Sequence, residues 1–204
     1  MNSEIKLILE GVKKGDQIGG PYELSKILVK SLQANNGFNK DDLTKRYLEW
    51  WKEDAFDTGP TYASVFTNIL KGYDHENAVL KTHQDFDENT AGCGPVHRCM
   101  PLAGFVKIPT NELIDLARQE AKITHYHEDA GNGSAIVVLL CRHLLEGKNI
   151  ENACLEVSKN KELHQSWKQV EKAKLSPDGY VYNVIHSALH FIKNKSTLED
   201  SVKF

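Results

Sequence analysis

Three short stretches of the chain hold the residue types that do chemistry. The first, Gly11-Val12-Lys13-Lys14-Gly15-Asp16-Gln17-Ile18-Gly19-Gly20-Pro21-Tyr22-Glu23, packs glycines, a proline and the carboxylates Asp16 and Glu23 between two helical patterns. Glycine admits positive φ and close backbone approach, and proline fixes φ, so both carboxylates are expected in one turn-rich corner. The same composition fits a solvated helix–loop–helix connection, and the residues alone leave both readings open. The second stretch, Gly92-Cys93-Gly94-Pro95-Val96-His97-Arg98-Cys99-Met100-Pro101, sets two glycines beside an arginine. Such a loop can present backbone N–H groups to a phosphate, or serve as an ordinary turn. The third runs from Thr124-His125-Tyr126-His127-Glu128-Asp129 into an apolar helix from Ile136 to Leu145, and a helix start of this kind favours anions through its free N–H groups and dipole. Neither His125 with His127 nor His186 with His190 has the further ligand spacing or central Glu of a zinc site.

The elements that must position these stretches are helices. Apolar residues recur at helical spacing nearly throughout, without a convincing run of strict alternation, so the chain reads as all-α. Leu24, Ile27, Leu28 and Leu32 make one stripe; Leu43, Tyr47, Trp50 and Trp51 make the next, with Asn39 as its N-cap. Tyr62, Val65, Phe66, Ile69 and Leu70 form a third, stopping near Gly72. From Tyr73 to Pro101 the text is polar and rich in Gly, Asn, Asp and His, a long loop expected to fold over a functional face. Helices resume at Thr110 to Ala121, Asp129 to Glu146 with Gly147 as stop, Ile150 to Ser158, Leu163 to Val170 and Tyr180 to Ile192. Ser196-Thr197-Leu198-Glu199 matches a capping box, and a capped helix that stops at Phe204 suggests a fold incomplete at its C-terminus.

Composition narrows the class. At 204 residues the chain reads as a single domain over 1–204, able to bury a continuous core without staples. Its net charge of -3 comes from interspersed signs, with no basic stripe to recruit nucleic acid. No signal peptide and no membrane-length apolar run is present, so the expectation is a cytoplasmic protein with no membrane partner. Cys93, Cys99, Cys141 and Cys154 show no CxxC spacing and read as reduced thiols, Cys141 and Cys154 as plain packing.

The three stretches, in this order, resemble the ADP-ribosylglycohydrolase family, which includes dinitrogenase-reductase-activating glycohydrolases and J1-type crystallins, and the resemblance implies an all-α fold built as a compact orthogonal multi-helix bundle. Gly11 through Glu23 reproduce the family's opening Gly, Gly-Asp, Gly, Pro, Glu pattern. Asp41 through Trp51 followed by Asp54 through Thr61 look like its next block, Gly92 through Pro101 resemble its Gly-Asn-Gly stretch with following Arg and Pro, and Thr124-His125 its Thr-His pair.

The resemblance implies hydrolysis at the anomeric carbon of ADP-ribose attached to a protein side chain or small acceptor, so the expected partner is ADP-ribose or an ADP-ribosylated protein. An oxocarbenium-like transition state needs a carboxylate to position or deprotonate water. By resemblance Glu23 is that carboxylate and Asp16 orders the turn. Gly92, Cys93, Gly94 and His125 would hold the diphosphate and adjacent ribose, with Arg98 bracing the loop. Magnesium is the cofactor the family implies, yet its ligand motifs are not found in this sequence. Glu23 runs directly into Leu24-Ser25-Lys26-Ile27-Leu28, where the family has a linker and a Thr-Asp-Asp-Thr motif, and the late Asp-x-Asp-Thr motif does not appear before Phe204. Lys40-Asp41-Asp42-Leu43-Thr44 imitates the first motif but reads as an acidic helix start. Cys93 stands where the family has Asn. Three readings follow: a hydrolase of this family, a catalytically inactive ADP-ribose-binding or crystallin-like structural protein, or a sequence from which an internal segment and the last helices are missing.

Overall fold

A computed structural model describes residues 2–53, 55–194, 197, 199 and 200. It is all-α: among the described residues the only extended pairing is a single bridge between Gly92 and Tyr180. The helices are α1 Ser3–Gly15, α2 Gly20–Asn35, α3 Lys40–Lys52, α4 Pro60–Leu70, α5 His75–Asp85, α6 Gly94–Arg98, α7 Pro101–Gly104, α8 Leu113–Ala121, α9 Glu128–Leu145, α10 Ile150–Lys159, α11 His164–Lys172 and α12 Val181–Lys193.

The organising element is α9, which packs against α6, α7, α8, α10, α11 and α12. Its sequence explains how one helix meets so many. The first half is built of small residues, Ala130, Gly131, Gly133, Ser134 and Ala135, which let neighbouring backbones approach. A Cβ at Gly133 would run into the Val181 side chain of α12, and one at Gly131 would touch Arg118 of α8 at 3.4 Å. The second half supplies apolar bulk from Ile136, Val138, Leu139 and Leu140 to the core. Leu28, Leu32, Leu43, Tyr47, Tyr62 and Phe66, from the stripes of α2, α3 and α4, join that core fully buried.

Local capping follows the sequence closely. The Asn39 side chain accepts the Asp42 N–H at 3.0 Å, so Asn39 caps α3. Gly72 (φ 100°) and Gly147 (φ 86°) take left-handed conformations just past α4 and α9. In the expected loop from Tyr73 to Pro101 the structure instead has α5, capped by Asp74, whose carboxylate accepts the Asn77 N–H at 2.9 Å. Its buried face carries Thr82 and His83 beside Ala78 and Val79, so polar side chains fill half of an apolar stripe. The first glycine-rich stretch is also more helical than its composition suggests. α1 runs through Gly11 to Gly15 with Lys13 and Lys14 in its last turn, where cations favour the helix dipole. Ser196 and Leu198 of the expected capping box, like Asp54, lie outside the described residues; Thr197 and Asp200 bond reciprocally, hydroxyl to carboxylate at 2.6 Å and amide to hydroxyl at 3.1 Å.

No helix among the described residues is long and apolar enough to cross a membrane.

Candidate functional site

A cavity of about 890 Å³ opens between the α1–α2 corner, the loop before α4, the Gly92–Gly94 loop and the residue pair after α8. Asp16, Gly92, Cys93, Gly94 and His125 all line it. Glu23 is not among the lining residues: it sits in the first turn of α2 and pairs with Lys26 at 2.5 Å, both side chains about a third exposed. At roughly 100° per residue, Glu23 is turned about 200° from Pro21 and 100° from Leu24, the two α2 residues that face the cavity.

The corner is built around Asp16. One carboxylate oxygen accepts the Gly19 N–H and the other the Tyr22 N–H, each at 2.7 Å. These are amides at the start of α2, which Gly19 itself cannot cap with a side chain, so Asp16 satisfies and electrostatically complements that helix end. Gly20 is required for a different reason. A Cβ there would collide with the carbonyl oxygens of Phe56 and Asp57, so only glycine lets the loop before α4 lie on the start of α2. In that loop Asp57 takes a left-handed φ of 50°, followed by Gly59 at 75°, and Asp57 lines the cavity without an ion pair among the described residues.

The opposite wall is anchored in the core. Arg98, 1% exposed, donates from Nε to Glu120 Oε1 at 2.7 Å and from Nη2 to Thr124 Oγ1 at 2.9 Å. Its guanidinium lies over the rings of Tyr47 and Tyr62, 5.1 and 5.8 Å from their centroids. Tyr47 adds its own O–H to Glu120 Oε1 at 2.9 Å, and Tyr62 donates to the Tyr47 carbonyl at 2.9 Å. Arg98 therefore braces the loop from within the core, its Nε and Nη2 groups engaged with Glu120 and Thr124.

The same relay fixes His125. Arg98 can only donate, so Thr124 Oγ1 accepts from it, and the same hydroxyl makes a second hydrogen bond with His125 Nδ1 at 2.8 Å. Burial, with the Arg98 charge adding to it, pushes the His125 pKa down to about 3, so the imidazole is neutral at physiological pH. Its ring lies against the glycine loop: a Cβ at Gly92 would approach Nε2 to 3.2 Å and one at Gly94 would approach Cε1 to 3.1 Å. The two glycines are needed because the imidazole occupies the space of their side chains. Cys93 N–H donates to the Gly179 carbonyl at 2.9 Å and Val181 N–H to the Ala91 carbonyl at 3.1 Å, tying the loop to the approach of α12. Burial raises the Cys93 thiol above its ordinary pKa, keeping it a protonated, weak donor.

One expected feature is placed differently. Thr124 and His125 do not open α9; their N–H groups both bond back to Ala121 O, closing α8. The N-cap of α9 is His127, whose Nδ1 accepts the Asp129 N–H at 3.1 Å, and Glu128 and Asp129 already supply negative charge to that helix start. An anion has no call on it. His97, Asp57 and Asn89 also line the cavity; His97 and Asp57 fall inside stretches the sequence singles out, but nothing there marks either as a site residue.

Whether these residues fit a divalent cation is decided by their existing bonds. Both Asp16 oxygens are taken by amides. At the start of α3, Asp42 Oδ2 accepts from Arg46 at 2.7 Å, Ser31 at 2.6 Å and Asn35 at 2.9 Å. No group of three or more His, Cys, Asp or Glu among the described residues is arranged to hold a metal ion. The residues present do not fit one, and no step below runs through a metal.

The comparisons agree with this architecture. The family model described as ADP-ribosylglycohydrolase matches residues 15–203, and the chain belongs to that family. A solved structure described as an ADP-ribosylglycohydrolase-related protein complex superposes with a TM-score of 0.67 at 25% identity, over 89% of this chain and 61% of that one. The chain thus spans less than two thirds of the length of that relative. No curated protein sequence matches it.

Proposed function

We propose that the cavity binds the ADP-ribosyl group of an ADP-ribosylated protein or small acceptor. In this reading Gly92, Cys93, Gly94 and His125 grip the ligand, His125 as a neutral N–H donor, and Asp16 holds the facing corner in shape. The observation that carries the proposal is the wall itself: a neutral imidazole held at Nδ1 by Thr124, packed on two glycines and lining an 890 Å³ cavity. A buried donor held this way discriminates strongly for a ligand acceptor, since leaving it unpaired is costly.

Hydrolysis at the anomeric carbon is the second reading, favoured by the family match. It assigns Glu23 as the carboxylate that orients or deprotonates water, and so requires the Glu23 side chain to leave Lys26 and turn towards Pro21. Calorimetry with ADP-ribose, with and without magnesium, tests the binding reading; His125→Ala is expected to weaken binding at least tenfold, the loss of about 1.4 kcal/mol for one buried hydrogen bond. Binding unaffected by that change sinks the assignment. Incubation with a mono-ADP-ribosylated protein tests the second reading, which fails if no ADP-ribose is released or if Glu23→Gln releases it equally well.

A further inference from the structure

We infer that His97 is the residue that meets the diphosphate of a bound ligand, and that it takes up a proton as the ligand enters. The inference rests on the reading of the cavity as an ADP-ribosyl site and adds to it the group that supplies positive charge.

The argument is one of elimination among the charges that line the cavity. No lysine contributes to the lining. Arg98 is committed to Glu120 and Thr124 in the core. His125 has its Nδ1 taken by Thr124, lies beside the Arg98 charge and is 4% exposed. What remains is acidic: Asp16 and Asp57. A diphosphate entering with His97 neutral would find two carboxylates and no free cation, an arrangement that repels it.

His97 is placed to reverse this. It lies on α6 one turn beyond Gly94, lines the cavity, and its ring makes no hydrogen bond among the described residues. The elements packed on α6 are α2, α8 and α9. On α8, Glu120 is matched by Arg98, and on α2, Glu23 is matched by Lys26. The charges acting on His97 are those of Asp16 and Asp57. Burial holds its proton affinity below the ordinary value, so the free protein favours the neutral ring, while those two carboxylates work the other way. The negative charge of a diphosphate tips the balance, so the liganded His97 holds its proton to higher pH than the free one. By linkage, affinity then rises as pH falls between the free and liganded values, by up to about tenfold per pH unit for one proton.

The test is calorimetry of the full chain with ADP-ribose and adenosine from pH 5.5 to 8, each in two buffers of different ionisation enthalpy; the diphosphate of ADP-ribose carries no group that titrates in this range. The expected result is net proton uptake and tighter binding at low pH for ADP-ribose, neither effect for adenosine, and a flat pH profile for His97→Gln. A flat profile in the unaltered chain, or an undiminished slope in H97Q, overturns the inference while leaving the cavity reading standing. Absence of ADP-ribose binding at every pH removes both. If H97Q does not fold, histidine-ring NMR on the unaltered chain decides: the His97 titration must move upward by at least about half a pH unit when pyrophosphate is added, and an unmoved titration rejects the inference.

Discussion

The two walls of the cavity are built in opposite ways. The α1–α2 corner is a surface turn held by a carboxylate on backbone amides, with Glu23 and Lys26 facing outward. The glycine wall is tied through Arg98, Glu120, Thr124 and two tyrosines into the buried core. Local, solvent-facing bonds hold the first; a desolvated ion pair holds the second. The consequence is that the carboxylates of the corner can change with little cost to the fold, whereas the ion pair of the wall can hardly change without losing it.

The largest expected effect lies on the wall. Arg98→Met leaves Glu120 buried and unpaired, and should cost about 3–5 kcal/mol in urea unfolding. A loss under about 1 kcal/mol would erase the distinction between the walls. Next comes acid. His125 is held neutral down to about pH 3 in the folded protein, while its unfolded value is near 6.5. The unfolded chain therefore binds the extra proton first, and stability present above pH 6.5 is lost as pH falls, by about 2 kcal/mol at pH 5 from this group. His97, lowered in the same direction, steepens the decline. A pH series of denaturant titrations reads this slope, and its sign must be downward with acid.

In the corner, Asp16→Ala removes the acceptor of two amides and should cost about 1–2 kcal/mol, in the range of a lost helix cap. Asp16→Asn should recover part of that. The smallest effect belongs to Glu23→Gln. Its pair with Lys26 is a third exposed, so thermal unfolding should shift by no more than the equivalent of about 0.5 kcal/mol. A corner change costing more than Arg98→Met would reverse the comparison.

Much of the fold was legible because burial and helical period coincide: Leu24 to Leu32, Leu43 to Tyr47 and Tyr62 to Phe66 are each buried along one face. α5 was not legible, because Thr82 and His83 take core positions that the pattern reserves for apolar residues. In the site, the family resemblance implied Arg98 as brace, Asp16 as organiser of the turn and Gly92, Gly94 and His125 as neighbours, and all five line the cavity; residue type alone left the first two stretches open as ordinary turns. The relay was not legible. Glu120 looks like any other carboxylate on a charged helix until Arg98, 22 residues earlier, is placed against it. Nor does spacing show that His127, two residues past His125, caps the start of the next helix with its ring nitrogen.

Gly20 has a wider consequence. Because the carbonyl oxygens of Phe56 and Asp57 occupy the place of its missing side chain, the 16-residue α2 cannot roll about its own axis without driving its neighbours into that loop. The azimuth of the helix is keyed by the absence of one methyl group. That keying presents Pro21 and Leu24 to the cavity and turns Glu23 towards solvent, so the direction in which Glu23 points is set three residues before it.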